Sequence, residues 1–161
     1  MGNVSSMSTL RVDNIQGQTT GTDRYVVQVV EGSITSRIST TSTSLTTTGL
    51  EATITPSSTS NKVLISVALN GVLSPETDYV VFHIYKDDAN HHSISTNVGQ
   101  NGESDSSSVV HFYLDSPSTT SATKYTVYYR SGAGGSVQVG NYAIGGDGST
   151  RSTILLQEIA Q

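Results

Sequence analysis

Residues 62–69 alternate with a period of two. Val63, Ile65, Val67 and Leu69 therefore share one face of an extended chain, and Lys62, Leu64, Ser66 and Ala68 share the other. Residues 79–85 repeat the pattern, with Val80, Phe82 and Ile84 on one side and Val81, His83 and Tyr85 on the opposite side. Segments 25–30, 109–114, 124–130, 136–144 and 151–159 read as further strands, and 34–38 and 50–54 as short flanking ones. The tract 39–48 is nearly pure Ser and Thr and reads as either an exposed strand or a loop. Turn-forming residues separate these runs: Pro56-Ser57-Ser58, Asn70-Gly71, Ser74-Pro75, Asn101-Gly102, Ser116-Pro117, Gly132 to Gly135 and Asp147-Gly148. Eight to ten short strands at this spacing predict an all-β fold, an antiparallel jelly-roll-like β-sandwich.

Two segments lack a solvent face. Residues 25–30 and 79–85 are apolar or aromatic on both sides, and no helical crossover is available to bury them as a parallel sheet. The pattern predicts that one face fills the sandwich while a second copy of the chain covers the other. Tyr79, Val81, His83 and Tyr85 are the candidate interface residues, with Tyr125, Val127 and Tyr129 as a second stripe.

Residues 1–24 differ in character from the rest of the chain. Val4, Met7, Leu10, Val12 and Ile15 stand singly among polar residues, too few to build a core, so the segment is expected to be a docking arm for a head domain at 25–161. Leu10, Val12 and Ile15 are its candidate docking side chains. Its first six residues fit a myristoylation pattern and Asn3-Val4-Ser5 a glycosylation sequon, but both patterns are short, and a plain polar arm is the expectation.

Composition supports the β reading. Val, Ile and Thr supply 49 of 161 residues, against 24 from Ala, Leu, Glu and Lys. A formal charge of −5, with eight scattered Lys and Arg, gives no footprint for nucleic acid or an anionic membrane. The chain has no cysteine, which excludes disulfides, thiolate metal sites and thiol catalysis. No stretch approaches the ~18 apolar residues of a membrane helix, and no signal-peptide pattern opens the chain, so neither insertion nor export by that route is expected.

The residues that could carry chemistry form no recognisable site. His83 and His111 sit mid-strand beside apolar neighbours, the setting of satisfied histidines. Asp87, Asp88, His91 and His92 gather in what reads as a solvated loop. Adjacent histidines in a strand would point to opposite faces, a poor chelate, so no metal is expected. No serine lies in a nucleophile elbow, and the acids Asp87, Asp88, Glu103, Asp105 and Asp147 fall in turns. Gly132-Ala133-Gly134-Gly135 lacks the Lys of a phosphate loop and reads as a turn needing positive φ. Without Trp, a sugar platform has little to build on, and one hydroxyl tract is not the flat array that ice binding needs. The expectation is a non-enzymatic protein without a cofactor.

Several stretches together resemble a known family. Residues 7–16 (MSTLRVDNIQ) look like the opening of structural proteins of tailed phages, especially those of marine bacteria and cyanobacteria. Residues 54–65 (ITPSSTSNKVLI), 114–119 (LDSPST), 125–130 (YTVYYR) and 152–159 (STILLQEI) resemble that family's C-terminal jelly-roll-like β-domain. The resemblance runs in order along the whole chain. It implies a virion structural protein on the particle surface: a homotrimeric capsid decoration or cement protein held to the major capsid protein through its arm. The alternative it leaves open is a short tail fibre or knob, seated on a tail adaptor and binding a host glycan receptor. Nucleic acid and membrane are not among the expected partners. The chain has no heptads, shaft or collagen-like repeat, which departs from a long fibre.

Overall fold

The computed structural model describes residues 24–98, 107–140 and 150–161, and every regular element among them is a β-strand. The docking residues Leu10, Val12 and Ile15 and the acids Glu103, Asp105 and Asp147 lie outside the described residues. The strands are β1 (Val26–Ile34), β2 (Ile38–Thr40), β3 (Thr46–Ile54), β4 (Lys62–Val72) and β5 (Val80–Lys86). They continue as β6 (Ala89–Val98), β7 (Ser107–Asp115), β8 (Thr123–Ser131), β9 (Val137–Val139) and β10 (Ser152–Ile159).

Two four-stranded antiparallel sheets form the sandwich, in the orders β1-β10-β4-β7 and β3-β8-β5-β6, with β2 and β9 as a separate short pair. With that pair set aside, the chain changes sheet at every connection except the β5–β6 hairpin. That alternation is the strand order of a jelly roll. At one side of the sandwich β1 lies against β3, and at the other β6 lies against β7.

The core sits where the period-two pattern places it. Val63, Ile65, Val67 and Leu69 of β4 face Val80, Phe82 and Ile84 of β5 across the interior, and all seven are buried. Leu50, Ala52 and Ile54 from β3 and Ile154 and Leu156 from β10 complete the packing. The Ser/Thr tract resolves into the end of β2, a loop over 41–45 and the start of β3, where hydroxyls replace missing ladder bonds. Between Thr47 and Glu51 the β3–β8 register shifts, and Thr48 Oγ1 donates to the Val127 carbonyl at 2.7 Å.

Three expectations need correction. Tyr125, Val127 and Tyr129 are not an interface stripe, because they are buried in the core. Directly opposed residues share a face, and Val127 opposes Ile84 while Tyr129 opposes Phe82, so the stripe must point inward. The 87–92 segment is not a loop either. Asp87 and Asp88, with φ of 49° and 65°, form a two-residue hairpin turn, and His91 and His92 belong to β6. In the 132–135 turn, only Gly134 takes positive φ (95°); Gly132 and Gly135 make room for the Tyr79 ring and the Asp78 carboxylate.

Candidate functional site

The outer face of the β1-β10-β4-β7 sheet carries apolar side chains that none of the described residues covers. Pairing lays them out in rows: Val29, Gln157, Leu64 and Leu114 in one, and Glu31, Leu155, Ser66 and Phe112 in the next. A third row holds Ser33, Thr153, Ala68 and Val110. On the edge strand β7, Val110 is 60% exposed, Phe112 66% and Leu114 47%. On the opposite edge, Tyr25, Val27 and Val29 are also exposed. Edge strands are normally guarded by Lys, Pro or an inward charge. The outward positions of β7 hold Val110, Phe112 and Leu114 instead, which marks it as a surface for contact.

The second concentration of functional groups lies where β6 meets β7. One extra residue in β6 shifts the register, since Ile84 opposes His92 while Tyr85 opposes Asn90. This bulge turns both adjacent histidines toward β7. His91 Nε2 lies 3.1 Å from Asp115 Oδ1, and His92 Nε2 lies 3.1 Å from His111 Nε2. The Tyr113 ring stacks on His92 at 4.0 Å and meets His91 edge-on at 5.5 Å. Among the described residues, no three His, Asp or Glu side chains converge as metal ligands.

Asp115 also receives the Tyr125 hydroxyl at 2.6 Å and Lys86 Nζ at 2.9 Å. Burial alone would raise its carboxyl, but these donors outweigh burial and hold it below the ordinary value. Burial and the bond to Asp115 push the Tyr125 hydroxyl far up, so it stays protonated as the donor. Two other buried carboxylates obey the same logic. Asp78 accepts the Ser131 hydroxyl and the backbone N–H groups of Tyr79, Ala133 and Gly135, which pins the glycine turn. Glu158 accepts Asn61 and Gln28 amides at 2.6 Å and both the N–H and the hydroxyl of Ser57 at 2.7 Å. Burial opposes ionisation there too, yet the four donors bring its pKa down to about 2. Each carboxylate is saturated with donors from several elements, which is the chemistry of a clamp.

These clamps join the separate motifs. Ser57 and Asn61 from the 54–65 stretch bind Glu158 from the 152–159 stretch, and Asp115 from 114–119 binds Tyr125 from 125–130. No protein-family model matches the chain, and no curated protein matches it.

Of the interface candidates, Tyr79, Val81, His83 and Tyr85 remain partly exposed on the outside of the β3-β8-β5-β6 sheet. Tyr85 there stacks on Tyr128 at 3.8 Å, and Tyr79 packs over Gly132, so both are partly used within the monomer. The larger uncovered face, with Val110, Phe112 and Leu114, was not singled out from sequence. Its signal was present: residues 109–114 are apolar or aromatic on both faces, as 25–30 are.

Proposed function

We propose that the chain is a non-enzymatic structural subunit of a phage particle, a homotrimeric capsid decoration protein whose β-sandwich associates with copies of itself. The observation that carries self-association is the uncovered apolar face, with Phe112 at its edge. Its two exposed strips, Val110/Phe112/Leu114 and Tyr25/Val27/Val29, lie on opposite edges of one sheet. Two different patches favour a head-to-tail contact, and such contacts close into rings when the rotation allows. Covering three such side chains contributes about 1.5–3 kcal/mol each before the cost of association is met. The saturated carboxylates support a non-enzymatic reading, because a catalytic acid or base needs a free position for substrate. The phage assignment rests on the motif resemblance, and the arm with Leu10, Val12 and Ile15 is its proposed anchor.

Sedimentation equilibrium tests the assembly. A trimer that Phe112→Ser dissociates is expected, and a stable wild-type monomer overturns it. Quantitative mass spectrometry of particles carrying the protein tests the location. A fixed, near-stoichiometric ratio to the coat protein is expected of a decoration, whereas a few copies per particle would assign it to the tail.

A further inference from the structure

All four histidines of the chain are electrostatically coupled at one side of the sandwich: His92 feels His111, His91 and His83. His92 belongs to β6 in one sheet and His111 to β7 in the other. Both are edge strands, with no hydrogen-bonded ladder between them. The two Nε2 atoms are 3.1 Å apart while the ring centroids are 5.1 Å apart, so the imidazoles meet tip to tip. Such a contact holds with one proton, where one Nε2–H donates and the other Nε2 accepts. When both rings are cations, both Nε2 atoms are donors and neither can accept.

We propose that His92 and His111 form a proton-governed latch across the seam of the two sheets, closed when they share one proton and opened when both are charged. The groups around the pair among the described residues favour this. From β5 come His83, whose Nδ1 is bonded to Asn90, and Lys86; from β6 comes His91; from β7 come Tyr113 and Asp115. The one carboxylate in this set, Asp115, binds Tyr125, Lys86 and His91. A second charge on the pair therefore meets an aromatic face and no free carboxylate, since Asp115 is already engaged by Lys86 and Tyr125. Burial first, and then the neighbouring histidines, hold His92 below the ordinary histidine value. A histidine lowered in the closed state binds its proton more readily once the seam opens. Closure is thus fully favoured above pH about 6.5 and is lost as pH falls through the lowered value.

Amide hydrogen exchange on the intact protein tests the latch, read as protection factors at about pH 7.5 and about pH 5. Protection in β6 and β7 is expected to fall on acidification. β4 and β10 should keep theirs, since the buried carboxylates titrate lower. In His111→Gln the acid response should shrink, because the like charge facing His92 is gone while its burial remains. Unchanged protection in the wild type, an equal fall in β4 and β10, or an undiminished response in His111→Gln overturns the proposal. If that variant fails to fold, imidazole ¹⁵N titration of the wild type decides. The pair should take up its protons in two steps with protection lost in the lower one, and protection lost in the upper step overturns the latch.

Discussion

At the scale of single residues, stability in this protein depends on polar groups as much as on apolar ones. Glu158 is buried, yet it is ionised because four donors from three residues in two segments converge on it. Glu158→Gln should therefore cost about 1–3 kcal/mol, because one acceptor oxygen becomes a donor facing donors. The pH dependence has a definite sign. The folded value, about 2, lies below the ordinary 4.5, so the stabilisation is present above about pH 4.5 and is lost as pH falls toward 2. Thermal unfolding across that range should show a shallower acid loss in the variant than in the wild type. Gly32 gives a second residue-scale expectation. A Cβ there would collide with the backbone carbonyl of Glu51, because β1 and β3 approach closely at this side of the sandwich. Gly32→Ala should lower the unfolding midpoint in urea at an unchanged slope, by about 1–3 kcal/mol. Along the chain, Ser57 and Asn61 stand in one motif and Glu158 in another, about a hundred residues away. Their meeting in one cluster depends on the fold that closes this distance, which local pattern does not encode.

At the scale of strands, legibility tracks burial on one face. β4 and β5 are plain in the sequence because their inward residues alternate strictly with the rest. β6 is not, because the sequence ANHHSISTNV reads as mostly polar, with Ile94 the buried apolar residue among its described side chains. The bulge at His91 then removes the rule that adjacent side chains point apart, so the histidine cluster could not be foreseen from spacing. β8 misled in the other direction. Tyr125 and Tyr129 look like interface residues by type, but a buried hydroxyl is tolerated where a partner exists, and Tyr125 has Asp115. The outward side of β7 carries the expectation that belongs to this scale. Phe112→Ser removes an exposed aromatic without touching the core, so the monomer should keep its unfolding midpoint within about 0.5 kcal/mol. Self-association should weaken by about tenfold or more, as about 1.4 kcal/mol of lost burial requires. Light scattering over a dilution series checks both halves, and an unchanged mass would move the contact to another face.

At the scale of the whole molecule, the core of the jelly roll is drawn from the later part of the chain. Every buried apolar residue of the described core lies at or beyond Leu50, and Val30 is the first side chain to pack against it. β1 starts at Val26 and takes its register from β10, and the Tyr25 carbonyl just before it accepts the Ala160 N–H at 3.0 Å. The fold class was legible because ten strands and their turns repeat one local signal. The proposed trimer and particle are a different matter, since both depend on surfaces whose partners would be other chains. Removing residues 1–16 separates these levels. The truncated protein should unfold at the wild-type temperature and keep its mass in solution, because neither the core nor the Phe112 face is altered. It should fail to bind particles that the full chain decorates, since three anchored arms per trimer multiply a weak contact and their loss removes that gain. Binding is read by co-sedimentation with particles stripped of the protein. Normal decoration by the truncated protein would take Leu10, Val12 and Ile15 out of the anchor and place the attachment on the sandwich itself.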